Sequence, residues 1–142
     1  MDRKAQAQWN GGLKDGNGTL KLGSGAYDGR YSFTSRFENG TGTNPEELIG
    51  AAHAGCFSMA LAAALEKAGH RATKVATSAT VHLTKSDAGF SISGIDLVTR
   101  GVVPGLSDAE FQRFAADAKT GCIVSRALAA VPMTIDAKLE TA

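Results

Sequence analysis

The sequence predicts an α+β fold in which a mainly antiparallel sheet frames one long central helix, and three observations predict it. The stretch Asn44 to Gly69, NPEELIGAAHAGCFSMALAAALEKAG, is apolar or small at nearly every position and carries start and stop signals of a helix at its ends. Segments before and after it alternate apolar and polar residues with period two, the signature of half-buried strands. A second helical pattern comes late in the chain. The order is βββ-α-ββ-αα-β, strands and helices in runs rather than strict alternation, which reads as α+β. With 142 residues and 43% hydrophobic content, the whole chain, 1–142, suits one domain with a core of ordinary size.

In chain order, Ala5 to Trp9 is a strand, and the turn chemistry of Gly11-Gly12 and Asp15-Gly16-Asn17-Gly18 leads to a second strand over Thr19 to Leu22. Gly23 to Gly29 turns the chain again. Arg30 to Phe37 then reads as a third strand, with Tyr31, Phe33 and Phe37 on one side of the alternation and Arg36 on the other. The loop Asn39 to Thr43 joins it to the central helix. Asn44 is a good N-cap there, Pro45 suits the first helical position, and Glu47 stands where it can close a capping box. Gly69 after Ala68 supplies the left-handed residue that ends a helix. The span from Pro45 to Ala68 is about 36 Å long at roughly 1.5 Å per residue. A helix with so little polar face is buried on most sides.

Beyond it, Thr73 to Thr84 places Val75, Thr77, Ala79, Val81 and Leu83 on one face and Lys74, Ala76, Ser78, Thr80, His82 and Thr84 on the other. From Phe90 to Val103 the apolar parity switches across Gly94, which predicts a β-bulge there. Ser107-Asp108-Ala109-Glu110 is a second capping box, opening a helix with Phe111, Phe114, Ala115 and Ala118 inward and Gly121 as its stop. Cys122 stands at the entrance of a short helix through Leu128. Met133, Ile135, Ala137 and Leu139 share one face of the last strand.

The formal net charge is +1 with acidic and basic residues interspersed, so there is no stripe for a phosphate backbone and no polybasic segment for a membrane surface. Nucleic acid and membrane are both excluded as expected partners. The start, MDRKAQAQWNGG, lacks an apolar signal region, and no window holds about 18 uninterrupted apolar residues. A cytoplasmic location is the expectation. Thiols stay reduced there, so the two cysteines read as inert or catalytic rather than as a permanent staple.

Chemistry is sought among Cys56, Cys122, Arg36, Glu47 and His53. Cys122 has the unpaired N–H groups of a helix start behind it; mid-helix Cys56 has none and needs a cation from elsewhere to become a thiolate. A buried free cysteine also serves as a small hydrophobe, and from the residues alone both readings stand. Arg36 and Glu47 are close enough in sequence to form a bidentate ion pair, or each is a surface residue, one on a strand and one at a cap. His53 precedes Cys56 by about one turn. His-x-x-Cys without a further ligand pair is a weak zinc signal, and a satisfied helical histidine is the simpler reading.

The run SRFENGTGTNPEELIGAAHAGCFSMALAAAL, with the second cysteine in AKTGCIVSRAL, resembles the OsmC subfamily of the OsmC/Ohr hydroperoxide reductases, and the likeness extends from Trp9 to the last strand. Ile123 comes after the second cysteine where members of that family often have proline. The resemblance implies an OsmC-like fold in an intertwined homodimer with two active sites at its interface, working with neither metal nor organic cofactor. It implies that Cys56 is the peroxidatic and Cys122 the resolving cysteine, that Arg36 stabilises the Cys56 thiolate and meets the peroxide, and that Glu47 holds the guanidinium. The implied substrate is an organic hydroperoxide, and the implied recycling partner is a dithiol, whether a small molecule, a lipoylated protein or a thioredoxin-like one. Nine helical positions put Glu47 and Cys56 on opposite faces, about 13.5 Å apart along the axis, so the expected site takes Arg36 and Glu47 from one chain and Cys56 from the other. The competing reading is a non-enzymatic domain that binds an apolar ligand and keeps its cysteines for packing.

Overall fold

The computed structural model describes residues 1–140. Its contacts divide the chain into two compact units, Met1–Leu48 and Ile49–Ala142.

The first unit holds a three-stranded antiparallel sheet of β1 (Ala5–Asn10), β2 (Asn17–Leu22) and β3 (Asp28–Tyr31), in that order. Trp9 and Tyr31 lie with ring centroids 5.2 Å apart. The expected third strand stops at Tyr31, and the chain continues as a short helix, α1 (Phe33–Phe37), which corrects the reading of Arg30 to Phe37 as extended. Ser32 caps it: its hydroxyl accepts from the Ser35 N–H, while its own N–H donates to Ser35 Oγ, a reciprocal capping box. Phe33 and Phe37, one turn apart, bring their rings to 5.0 Å.

The loop after α1 is fixed by main-chain and side-chain bonds. Thr43 N–H donates to the Arg30 carbonyl at 2.9 Å, and Ser35 Oγ donates to the Thr43 carbonyl at 2.7 Å. Gly42 has φ +116°, and a Cβ there would come within 2.7 Å of the Arg30 carbonyl oxygen, so only glycine fits the turn.

Helix α2 (Pro45–Lys67) begins at the expected N-cap, with the Glu47 N–H donating to Asn44 Oδ1 at 2.8 Å, but the Glu47 carboxylate accepts from the Thr43 hydroxyl at 2.7 Å instead of reaching back to the Asn44 N–H, which corrects the expected capping box. The helix ends as expected. Gly69 takes φ +87°, the Gly69 N–H reaches the Glu66 carbonyl at 3.0 Å and the His70 N–H reaches the Leu65 carbonyl at 2.9 Å, the two bonds of a Schellman motif. Burial departs from expectation. His53, Phe57, Leu61 and Leu65 are fully buried along one stripe, whereas Ala51, Ala52, Gly55, Met59 and Ala63 on the opposite side are exposed in the single chain, Met59 by 76%. By length and composition α2 also suffices to cross a bilayer, with a mean hydropathy of 1.7 over an 18-residue stretch; the sequence expectation counted only uninterrupted apolar runs.

In the second unit, β4 (Lys74–Ser86) and β5 (Gly89–Val102) pair antiparallel, and the register slips between His82 and Leu83, leaving Ser93 as the extra residue beside Gly94. The bulge thus falls where the parity change placed it. β5 also pairs with β6 (Met133–Leu139), in parallel, giving the order β4-β5-β6. The strands therefore form two sheets, and three of the four pairings are antiparallel. The parallel pair arises because the chain returns through two helices, α3 (Asp108–Gly121) and α4 (Ile123–Ala127), a crossover long enough to bring the strand back in the same direction. Ser107 and Glu110 close the predicted capping box on α3. Gly121 ends α3 without entering the left-handed region. Phe57, Leu61 and Leu65 of α2, Ile95 and Leu97 of β5, and Phe111, Ala115 and Ala118 of α3 form the core together with Cys122.

Candidate active site

Cys122 caps α4. Its backbone is extended, φ −62° and ψ 126°, its N–H donates to the Ala118 carbonyl at 2.8 Å, and its Sγ accepts from the Ser125 N–H at 3.5 Å. One residue thus closes α3 and opens α4, which fixes the sulfur over the first turn of the second helix. Cys56, half-buried on α2, meets it: Cys122 Sγ–H donates to Cys56 Sγ at 3.0 Å. Both thiols are free. A disulfide has its sulfurs about 2.05 Å apart, so a closure of about 1 Å would join them.

Burial pushes the Cys122 thiol up, but the contact with Cys56, the N–H groups of Ser125 and Val124, and the Ser125 hydroxyl together bring it below its ordinary value. The helix-start donors thus ease the departure of the Cys122 proton.

Behind Cys122 lies His53, fully buried on α2. Its Nε2 stands 2.7 Å from Ser125 Oγ, and its Nδ1 is buried without a partner among the described residues. Desolvation lowers its pKa, which keeps the ring neutral. The ring is therefore a helical core histidine with one bond satisfied; no group of three or more His, Cys, Asp or Glu among the described residues is placed to hold a metal. Its link to Ser125, 72 positions away, has no local signal in the sequence.

In the first unit, Arg36 does form a two-pronged ion pair, but with Glu46. Nη2 donates to Oε1 at 2.8 Å, and Nε lies 3.2 Å from Oε2 and 3.3 Å from Oε1. The expected Arg36–Glu47 pair is thereby corrected. Asn44 capping turns the exposed Glu47 towards Thr43, whose hydroxyl donates to its carboxylate at 2.7 Å, and Glu46, about 100° further back around the helix, is the buried one, at 7% exposure. Because Glu46 occupies the Nε–Nη2 edge, Nη1 has no partner among the described residues. The guanidinium also lies 5.1 Å from the centroid of the Phe37 ring. A cavity of about 200 Å³ adjoins it, lined by Trp9, Leu13, Tyr31, Phe33, Arg36 and Phe37.

A family model described as OsmC-like protein matches residues 38–136. The chain is 47% identical over 142 residues to Peroxiredoxin OsmC of Escherichia coli strain K12, covering 99% of both chains. Its fold is similar to that of the organic hydroperoxide resistance protein OhrB of Bacillus subtilis, at TM-score 0.66 and 24% identity over 98% of each chain. It is also similar to an OsmC-like protein from Mycoplasma pneumoniae, at TM-score 0.76 and 14% identity, covering 98% of this chain and 97% of that one. A matched family model over most of the length, together with a full-length relative of nearly half identical residues, means that this chain belongs to the OsmC-like protein family.

Proposed function

We propose that this protein is a thiol-dependent peroxidase that reduces organic hydroperoxides to alcohols. The observation that carries the reading is the pair of free thiols, Cys56 half-buried and Cys122 buried, with their sulfurs 3.0 Å apart. The full-length similarity to a peroxiredoxin supports it.

In this reading Cys56, the more accessible sulfur, attacks the distal oxygen of the hydroperoxide. The O–O bond breaks, the alkoxide takes a proton and leaves as alcohol, and Cys56 becomes a sulfenic acid. Cys122 then attacks that sulfur, giving a Cys56–Cys122 disulfide and water, which protects Cys56 from irreversible overoxidation. Arg36 supplies the positive charge for the thiolate and the peroxide through its Nη1 side, and Glu46 holds the other edge of the guanidinium. The aromatic cavity beside Arg36 suits a hydrophobic group on the peroxide.

A dithiol reductant returns the disulfide to two thiols, which places the cycle in a reducing compartment, the cytoplasm. The exposed small and apolar face of α2, Ala51, Ala52, Gly55, Met59 and Ala63, serves as a dimer face rather than a membrane span, since such residues allow a second helix to approach closely. Free-thiol titration after one equivalent of cumene hydroperoxide tests the reading. The expected result is rapid loss of two thiols per chain, faster than with hydrogen peroxide; thiols that persist would leave the domain as a non-enzymatic binder.

A further inference from the structure

His53 and Ser125 have no role in the peroxidase cycle above, yet they form a buried polar chain that ends on the resolving sulfur. His53 is fully buried and Ser125 is 5% exposed. The His53 tautomer is set by hydrogen-bond accounting. Nδ1 is buried without a partner, and a stranded N–H costs more than a stranded lone pair, so the proton sits on Nε2. The 2.7 Å bond then runs from Nε2–H to Ser125 Oγ. That bond ties the Ser125 side chain to the ring, and the amide of the same residue donates to Cys122 Sγ at 3.5 Å.

We infer that His53 is a positioning residue for disulfide formation: through Nε2–H it holds the Ser125 hydroxyl, and so keeps the Ser125 amide aimed at Cys122 Sγ while that sulfur attacks the oxidised Cys56. The inference rests on the peroxidase reading. In the step, Cys122 Sγ forms a bond to the sulfenic sulfur of Cys56 and the S–O bond of the sulfenic acid breaks. The departing hydroxide takes the thiol proton of Cys122 and leaves as water. The Cys122 sulfur is oxidised and the Cys56 sulfur is reduced, so no other oxidant or base is required. Charge that builds on Cys122, itself 1% exposed, as its proton departs is met by the Ser125 N–H already in place, so the donor is not recruited from solvent.

A structural role for a core histidine would not separate the two chemical steps, and the experiment is built on that difference. Single-turnover mixing with cumene hydroperoxide tracks peroxide consumption and disulfide formation separately, with dimedone trapping of the sulfenic acid, in wild type, His53→Leu, His53→Gln and Ser125→Ala. The expected outcome is at least about a tenfold slowing of disulfide formation in His53→Leu and Ser125→Ala, with dimedone-labelled Cys56 accumulating and first-turnover peroxide consumption unchanged. His53→Gln, whose amide N–H can reach Ser125 Oγ, restores the rate to within about threefold of wild type. Equal slowing of both steps, failure of His53→Gln to rescue, or disulfide formation at the wild-type rate in Ser125→Ala overturns the inference. Ser125→Ala removes only a hydroxyl and decides alone if His53→Leu does not fold. Wild-type thiols that survive the peroxide would overturn the peroxidase reading and this inference with it, whereas reactive wild type with unslowed variants overturns the inference alone.

Discussion

The Sγ atom of Cys122 lies 3.0 Å from the Sγ of Cys56, across 66 positions of chain, one sulfur fixed by a helix cap and the other by the middle of a long helix. Their settings differ enough to assign an order of reaction. Cys56 is half-buried and Cys122 is buried, so in the proposed cycle a bulky hydroperoxide would meet Cys56 first. Cys56→Ser is expected to abolish peroxide consumption. Cys122→Ser is expected to permit one attack per chain and then to accumulate sulfenic acid, read by dimedone labelling and intact mass. Multiple turnover in Cys56→Ser would reverse the assignment.

Arg36 is held by Glu46 and not by Glu47, and the two neighbouring glutamates make an internal control. Arg36→Ala is expected to slow thiol loss on mixing with cumene hydroperoxide by about 10²-fold, the scale for removing a charged donor from a developing anion. Glu46→Gln leaves the guanidinium present but loosely aimed, with an expected loss of about tenfold. Glu47→Gln should stay within about twofold, because that carboxylate accepts from Thr43 near the surface. A larger loss in Glu47→Gln than in Glu46→Gln would contradict the pairing.

The sequence makes the punctuation legible. Asn44, Ser107 with Glu110, and Gly69 mark helix ends through bonds made within a few residues, and the alternation over Thr73 to Thr84 appears residue for residue in the burial of β4. Arg30 to Phe37 reads wrongly as a strand because Tyr31, Phe33 and Phe37 satisfy a strand pattern; the better signal is Phe33 with Phe37 at helical spacing behind Ser32 as N-cap. Which glutamate meets Arg36 depends on the direction α2 leaves its cap, a matter of one residue that sequence distance does not resolve. The parallel seat of β6 and the approach of Ser125 to His53 are set by the whole crossover. Composition alone also does not say whose surface covers an apolar face, and the single chain covers only one stripe of α2.

His53 makes stability depend on pH. Burial lowers its folded pKa below the ordinary value near 6.5, so in that range the unfolded chain binds a proton that the folded chain refuses. Its contribution is fully present above about pH 6.5 and is lost as pH falls through the folded pKa, with a slope of at most about 1.4 kcal/mol per pH unit. Urea unfolding at pH 7.5 and at pH 5.5 is expected to show a drop in midpoint for wild type that is smaller in His53→Gln. An equal drop in both proteins would assign the acid sensitivity to other groups.

The origin of the two halves of the site can be tested by mixing. Glu46 and Cys56 are ten positions apart on α2, about 15 Å along its axis, so within one straight helix the Arg36-holding carboxylate and the sulfur proposed to attack the peroxide are well separated. An antiparallel partner helix, related by a two-fold axis and seated on the exposed small-residue face, would bring the start of one helix towards the middle of the other. Inactive Cys56→Ser and Arg36→Ala proteins, refolded together, are expected to recover activity, because a heterodimer then keeps one site with both residues intact. Absence of recovery, with heterodimer verified by mass, would place Arg36 and Cys56 in the same chain.

Ile123 stands at the first position of α4, 74% exposed, directly after Cys122. Proline fits that position for two reasons. The N–H of a first helical residue has no partner within its own helix, so nothing is lost by removing it, and the proline ring presets the helical φ. The residue before a proline must be extended, and Cys122 already is, at φ −62° and ψ 126°. Ile123→Pro should therefore stabilise the folded chain by about 0.4–1 kcal/mol, chiefly by restricting the unfolded one, and leave the sulfur where it is. The checks are the urea midpoint and the rate of disulfide formation after one equivalent of hydroperoxide. A higher midpoint with an unchanged rate is the expected pair of results; a slowed disulfide would mean that isoleucine gives the Cys122 loop a freedom the resolving step uses.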